Sequence, residues 1–320
     1  MSLIELSGVA KAFGRVGALD GIDAVVDSGS TALVGANGAG KTTLLRILLG
    51  LEAPDRGRAS VVGHVLPAGA HAIRACVGYM PEGACLPSDV SAAEFVGFMA
   101  QLGGLPPRHA RERTSEVLYQ VGLAEERHRP IGGFSTGMKQ RVKLAQALVH
   151  DPALVLLDEP TDGMDATGRS EMLDLILRVR REFGIDVLVS THLLGDVERV
   201  CDRVIMLHAG AVLAQGAVAD LKQNEQPAFE LELHDNSAAV VAALERAGLG
   251  ITAKGDGRLV LRGGEDVPER VRDLAAENGW PLRRLVPRAA TLEQTFLQLQ
   301  RIASDPITAL RPRLEEVASL

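Results

Sequence analysis

Residues 35–42 constrain the fold of this chain more than any other stretch. They read Gly-Ala-Asn-Gly-Ala-Gly-Lys-Thr and match the pattern GxxxxGK[ST] at every fixed position. An apolar run at residues 31–34 precedes them, and helical spacing follows at 42–49. In this context glycines let backbone N–H groups point at phosphate oxygens, and the helix N-terminus favours the same anion. The loop predicts an α/β domain of the P-loop NTPase type, the alternative being a chance glycine-rich loop.

The side chains of this loop have expected roles toward a nucleotide. Lys41 would neutralise charge on the β- and γ-phosphates, Thr42 would ligate Mg²⁺, and Thr43 would reach the α-phosphate. The remaining predicted nucleotide-binding positions of the loop are Gly35, Asn37, Gly38, Ala39 and Gly40.

A second feature is an apolar run that ends in two carboxylates, at residues 154–159. Asp158 at the end of a buried strand can hold Mg²⁺ through water, since this hard cation prefers oxygen ligands. Glu159 beside it can polarise an attacking water. Strands also end in acids merely because they meet solvent there, so the pair gains its weight from the phosphate-binding loop. Together they predict Asp158 as a metal ligand and Glu159 as a catalytic base.

Apolar runs without alternation at residues 31–34, 153–157 and 187–189 fit strands that are buried on both faces of a sheet. Partial alternation at 3–9 and 22–26 predicts half-buried strands, and helical spacing recurs at 169–183. From about residue 89 to 150 the pattern is helical and without clear strands. We therefore predict a mixed sheet with a helical subdomain over about 89–150, the whole domain occupying residues 1–222.

Beyond a polar linker at residues 222–227, the pattern changes to that of a second, smaller domain at 228–302. Predicted elements follow one another in the order βαββαβ, which is that of the α+β ferredoxin-like arrangement. Asp256-Gly257 is a hairpin signal within it. The segments are 229–233, 237–247, 251–254, 258–262, 267–278 and 282–286, with a further helix at 291–302 and a loose tail at 303–320.

Composition excludes some classes of function. The net charge of −7 over 320 residues gives no global positive field, which disfavours a nucleic-acid partner. The three cysteines lack CxxC spacing, which argues against a zinc site or a disulfide framework. No run approaches the roughly 20 apolar residues needed to cross a bilayer, so a membrane role would require a partner.

Over residues 2–222 the chain resembles the ABC ATPase family. The segment Phe134-Ser-Thr-Gly-Met138, before a basic helix start, is similar to the family signature LSGGQ. It keeps Ser135 and Gly137, which in the family contact the γ-phosphate of ATP held by the partner subunit, and departs at the first, third and last positions. By itself the segment is also simply a good helix N-cap.

Further positions fall in the order of the family's motifs. Asp165 is similar to the aspartate that crosses the dimer interface, and His192 resembles the histidine that bonds the γ-phosphate. Phe13 falls where the family stacks an aromatic on adenine. Glu82 stands where the family usually has Gln; it keeps an oxygen for Mg²⁺ and the attacking water but adds a charge near a polyanion. Glu at this position resembles the type 2 export class.

The resemblance implies an ATP- and Mg²⁺-dependent ATPase. Two copies, or one copy paired with a second ABC ATPase, would close head to tail around two ATP and drive a separate transmembrane permease, on the cytoplasmic face of the membrane. Export of a drug, lipid or polysaccharide type of cargo is the expectation, with no nucleic-acid partner. The C-terminal segment resembles the extra domain of many type 2 export ATPases, where regulation or dimer stabilisation is the expected role.

Two other functions remain alternatives at this point. A non-transport member of the family would act in translation or DNA repair. Repair ATPases of the family carry a very long coiled coil between the phosphate loop and the signature, whereas here about ninety residues without sustained heptads separate Lys41 from Ser135. Translation factors of the family carry two cassettes in one chain, and this sequence shows one. A P-loop switch or kinase would leave Ser135 and His192 unexplained. The sequence also does not contain the Asn-Lys-x-Asp stretch with which a guanine-binding switch would recognise its base.

Overall fold

The computed structural model describes residues 2–223, 227–233, 238–254, 258–264, 266–288 and 291–304. The chain divides into two compact units, one built mainly from residues up to Val218 and the other from Ala219–Gln298. Four sequence predictions fall wholly or partly outside the described residues. These are the centre of the linker, the first residue of the predicted helix at 237–247, the hairpin turn at Asp256-Gly257 and the tail from residue 305.

The first unit contains two sheets and seven helices within its described residues. Its strands are β1 (Ser2–Phe13), β2 (Val16–Asp27), β3 (Ser30–Val34), β4 (Arg56–Val61), β5 (His64–Val65), β6 (Val77–Met80), β7 (Leu154–Asp158), β8 (Asp186–Thr191), β9 (Arg203–His208) and β10 (Ala211–Ala217). Its helices are α1 (Lys41–Leu48), α2 (Ala70–Cys76), α3 (Ala92–Leu102), α4 (Pro107–Gln120), α5 (Thr136–Leu148), α6 (Ala166–Arg181) and α7 (Leu194–Val200).

The central sheet has the order β10-β9-β3-β8-β7-β6, and it is parallel except for β10. Strands β3 and β7 are buried along their whole length, which confirms the prediction drawn from their unbroken apolar runs. Val34 pairs with Thr191, and Asp158 pairs with Ser190. The carboxyl ends of three neighbouring strands therefore meet at one edge, where the loops that follow them come together.

The second sheet of this unit is antiparallel, in the order β2-β1-β4-β5. Ile4, Ile22 and Val61 pack in one core with Leu45 of α1 and Leu33 of the central sheet. The predicted strands at 3–9 and 22–26 were too short, because β1 and β2 run for 12 residues each. Register shifts after Leu6 and Val9 interrupt the alternation on which the prediction depended.

Helices α3, α4 and α5 occupy the region predicted as helical. Ser91 begins α3 with a capping box, since its side chain accepts from the Glu94 N–H while the Glu94 carboxylate accepts from the Ser91 N–H. Pro107 is the first residue of α4, where the missing proline N–H has no intrahelical partner to lose. The local sequence thus fixes the start of both helices.

The second unit is described separately. Helix α8 (Val218–Gln223) leads into β11 (Ala228–Leu233), α9 (Ala238–Arg246), β12 (Gly250–Lys254), β13 (Arg258–Arg262), α10 (Val267–Asn278), β14 (Leu282–Arg288) and α11 (Leu292–Ser304). The sheet order is β12-β13-β11-β14 with all neighbours antiparallel. The element order is the βαββαβ expected from sequence, while membership of the ferredoxin-like fold and the exact domain limits stay predictions.

The core of this unit contains Phe229, Leu231 and Leu261, and Trp280 packs against it. Trp280 is therefore a core contact within its own unit. No helix in the described part of the chain combines the length and the apolarity that spanning a bilayer requires.

Candidate active site

The phosphate-loop sequence forms a tight connection between β3 and α1. Gly40 lies at the N-cap of α1 with φ +103°, a conformation that favours glycine. A Cβ at Gly40 would lie 2.6 Å from the carbonyl oxygen of Ala18. The glycine is therefore required both by its backbone angle and by the close approach of β2.

Lys41 is the first residue of α1, and its side chain is buried. Its Nζ donates to the carbonyl oxygen of Gly35 at 2.7 Å and lies 3.2 Å from Oε1 of Glu159. The ammonium group thus bridges the loop after β3 and the acidic end of β7. These two segments are neighbours at the sheet edge because β3 and β7 both pair with β8.

Glu159 follows β7 in a left-handed backbone conformation, with φ +47°. Its N–H donates to the carbonyl oxygen of Ser190 at 3.1 Å, and its Oε2 lies 2.9 Å from Nδ1 of His192. Its Oε1 is buried without a hydrogen-bond partner, although the charge of Lys41 is close. A buried acceptor in this state is suited to receive a hydrogen bond from a water molecule.

Asp158 is almost fully buried at the last position of β7. The Ser190 hydroxyl donates to its Oδ1, and the Tyr79 hydroxyl lies 3.4 Å from its Oδ2. Burial, and then the Asp158 charge, raise the pKa of the Tyr79 phenol, which keeps it protonated as a donor. The carboxylate is consequently fixed in place from two sides.

Most of the predicted phosphate-binding residues line one open cavity of about 420 Å³, within the usual size range of small-molecule sites. Residues 16–18 of β2 form another part of its wall. The sequence-predicted residues along this cavity are Asn37, Gly38, Gly40, Lys41, Thr42, Thr43, Glu82 and Glu159. We call it the phosphate-loop cavity.

Five predicted site residues lie beside the phosphate-loop cavity without lining it, namely Gly35 and Ala39 of the loop, Asp158, His192 and Phe13. His192 contacts Glu159, which lines the cavity, and Asp158 directly precedes Glu159 in the chain. Phe13 ends β1 with 47% of its surface exposed, and the Lys11 ammonium lies 5.4 Å from its ring centroid. An exposed aromatic ring remains compatible with the predicted stacking on adenine.

Ser135, Gly137 and Asp165 line a different cavity of about 520 Å³, which we call the signature cavity. Ser135 caps α5 by accepting from the Met138 N–H, and Asp165 caps α6 by accepting from the Gly168 N–H at 2.9 Å. All three predicted residues are thus placed together, but in a cavity separate from the phosphate loop of the same chain.

Oxygen donors for a magnesium ion are present in the phosphate-loop cavity and at its edge. No cluster of three or more His, Cys, Asp or Glu side chains with metal-binding geometry occurs among the described residues. Mg²⁺ usually keeps several waters and takes one or two carboxylates plus substrate phosphates. The fixed carboxylate of Asp158 and the hydroxyl of Thr42 therefore fit this ion, which would take its remaining ligands from water and phosphate.

Sequence reasoning missed two supporting residues. Ser190 is fully buried and serves both Asp158 and Glu159. Lys143 is buried on α5, and its Nζ donates to the carbonyl oxygens of Pro81 and Glu82 at 2.9 and 2.8 Å. Burial lowers the pKa of Lys143. The sequence signal that could have identified both residues is a polar residue inside an apolar pattern. Ser190 follows Val189, and Lys143 lies between Val142 and Leu144.

Comparison with known proteins identifies the family. Residues 19–162 match the model of the ABC transporter family. The daunorubicin resistance ATP-binding protein DrrA3 of Streptomyces coeruleorubidus is 33% identical over 92% of this chain and 95% of its own length. This chain belongs to the ABC transporter ATP-binding proteins. It is therefore an ATP-binding ATPase.

Two further similarities support this membership. The ABC transporter ATP-binding protein YxlF of Bacillus subtilis is 43% identical over 61% of this chain and 64% of its own length. The structure of cbiO1 from Clostridium perfringens, part of the ABC transporter complex cbiONQ, matches with a TM-score of 0.63 at 28% identity. That match covers 70% of this chain and 91% of cbiO1. The ABC ATPase fold class predicted from sequence is confirmed.

Proposed function

We propose that this ABC ATPase is the motor subunit of a membrane exporter, in which two copies close head to tail around two ATP molecules. One observation carries the proposal. The phosphate-loop cavity and the signature cavity are separate in one chain, although each ATP is expected to contact one cavity of each kind. A second copy in reversed orientation would bring each phosphate loop to its partner's Ser135.

The residues of the phosphate-loop cavity would divide the chemistry between them. The loop N–H groups and Lys41 would hold the phosphates, and Mg²⁺ would lie near Thr42 and Asp158, with Glu82 as a further oxygen, to neutralise phosphate charge. Glu159 would accept a hydrogen bond from the attacking water through Oε1, the buried oxygen without such a partner. His192, 2.9 Å from the other oxygen of Glu159, would contact the γ-phosphate.

Lys41 links binding to catalysis in this scheme. Its ammonium lies 3.2 Å from Oε1 of Glu159 and also donates to the loop itself. Phosphate oxygens in the loop would compete for the same cation. When the Lys41 ammonium binds phosphate oxygens instead, the positive charge next to Oε1 of Glu159 weakens, and that oxygen becomes a better hydrogen-bond acceptor for water. Nucleotide binding would thus activate the base directly.

Transport direction and partner are further parts of the proposal. The similarity to DrrA3, a protein named for daunorubicin resistance, extends over 92% of this chain and so includes the second unit. This supports export of a small compound through a separate permease, with the ATPase attached to the cytoplasmic face of the membrane. Purification from native membranes should recover a multi-span membrane protein with the chain. Recovery of ribosomal proteins or DNA in its place would favour the translation or repair alternative.

The head-to-tail arrangement is tested by measuring mass in solution. The variant Glu159→Gln should bind ATP without hydrolysing it and shift from monomer to dimer when ATP and Mg²⁺ are added. Adding Ser135→Arg to this variant should prevent dimerisation while ATP still binds, because the arginine would fill the partner's γ-phosphate position. Ser115→Arg, on the exposed face of α4, is the matched control. Unimpaired dimerisation of the Ser135→Arg variant would refute the arrangement.

A further inference from the structure

Asp196 is a buried carboxylate on α7 that the proposed ATPase site does not use directly. Its Oδ2 accepts from the Thr161 hydroxyl at 2.9 Å. Its Oδ1 accepts from the Arg169 guanidinium, with Nε at 2.7 Å and Nη2 at 2.6 Å. The carboxylate therefore ties the first turn of α7 to the connection between β7 and α6.

The positions of these partners along the chain close a ring. Thr161 comes two residues after Glu159, and Asp196 comes four residues after His192. Glu159 and His192 contact one another at 2.9 Å. Each member of this pair is thus held by the same buried carboxylate, through a chain segment of no more than four residues.

Both arms of the ring need such support. Glu159 has φ +47°, and a residue in a sparsely populated conformation costs roughly 1–3 kcal/mol unless its surroundings fix it. On the other arm, α7 has only seven residues and no side-chain N-cap, and 41% of the His192 side chain is exposed. Thr161, 4% exposed, and Asp196, 3% exposed, are the buried fixed points on the two arms.

A purely structural ion pair is the simpler interpretation. Buried ion pairs add little net stability, because desolvation offsets most of the attraction between the charges. Arg169 also keeps 35% of its side chain exposed, so removal of the carboxylate charge would leave it solvated. The stability contributed by the pair is consequently small, whereas its effect on the geometry of the Glu159–His192 contact is direct.

We propose that Asp196 is a positioning residue for ATP hydrolysis, which sets the separation of Glu159 and His192 without touching the nucleotide. This rests on the proposed roles of those two residues. Small displacements of reacting groups are costly, because about 1 Å of misplacement lowers a rate by as much as a hundredfold. Asp196 is expected to affect the turnover number and not the binding of ATP.

The test uses the full chain and steady-state ATP hydrolysis. Asp196→Asn keeps the shape and one acceptor, and should lower kcat about tenfold with the KM for ATP changed less than about twofold. In the background of His192→Ala the same change should lower kcat by clearly less than in the wild type, because the Glu159–His192 contact that it positions is already gone. Independent, multiplying losses in the double variant would overturn the proposal.

Thr161 supplies a second, milder test if Asp196→Asn proves unstable. Thr161→Val removes only the hydroxyl and should lower kcat severalfold, while Thr161→Ser should restore it. Wild-type kcat in Thr161→Val, or equal loss in both variants, would overturn the role of this ring. A normal kcat in His192→Ala alone would instead refute the proposed role of His192, so failure of the function and failure of Asp196 are distinguishable.

Discussion

Glu159 shows how much a single residue can depend on its backbone. Its left-handed conformation is sparsely populated for a residue with a Cβ and costs roughly 1–3 kcal/mol. Two bonds to Ser190, from the Glu159 N–H to the carbonyl oxygen and to the hydroxyl, hold it there. The turn aims the carboxylate between Lys41 and His192. Strain is therefore located at the residue proposed to activate water.

His150 gives a prediction for pH. Burial lowers the pKa of this histidine from its ordinary value of 6.5, and its Nε2 is buried without a hydrogen-bond partner among the described residues. Since the unfolded chain takes up a proton first, this group reduces stability as the pH falls below 6.5. Thermal unfolding at pH 7.5 and 5.5 should show a larger drop in Tm for the wild type than for His150→Gln. Equal drops in the two proteins would contradict this.

The sequence locates candidate site residues most directly where one short segment would carry the chemistry. Residues 35–43 are such a segment, because the backbone of the loop itself would bind phosphate, and most of them line one cavity in the structure. Ser190, Lys143 and Asp196 escaped prediction. Each makes side-chain contacts with residues 27 or more positions away, and such contacts are set by strand order and helix packing, which single residues do not encode.

At the scale of elements, the helix start at Ser91 gives a direct prediction. Ser91→Ala removes the acceptor for the Glu94 N–H and the partner of the Glu94 carboxylate, and should cost about 1 kcal/mol of stability. Ser91→Thr retains the hydroxyl and should stay close to wild type. Urea unfolding followed by circular dichroism measures both. A loss for Ser91→Thr as large as that for Ser91→Ala would show that packing, and not capping, decides this position.

Elements were predictable to the extent that burial was uniform along them. Strands β3 and β7, buried on every side, were evident from their apolar runs, and α10 was predicted with both ends correct. Strand β4 was missed. Its sequence Arg-Gly-Arg-Ala-Ser-Val has an exposed polar first half and so shows no alternation of apolar and polar residues. The strand is defined by its antiparallel pairing with β1.

At the scale of the whole molecule, the separation of the two cavities explains what one chain lacks. The signature cavity contains Ser135 and Asp165 at helix N-termini, where anions are favoured, but no phosphate loop. The phosphate-loop cavity has the loop and the proposed base, Glu159, but not this second set of donors. No local sequence pattern reveals this separation, because it depends on how the helical subdomain projects the start of α5.

Subunit mixing tests whether two chains complete one another's sites. Two variants are prepared in the Glu159→Gln background, one with Lys41→Ala and one with Ser135→Arg, and neither should dimerise alone with ATP. In a mixed head-to-tail pair, one site carries both lesions and the other is intact. Mixed dimers should therefore form, held by one ATP in place of two, with a Kd at least about tenfold above that of Glu159→Gln alone. If each chain completed its own site, the mixture would behave like its separate components, and no mixed dimer would appear at concentrations about a hundredfold higher.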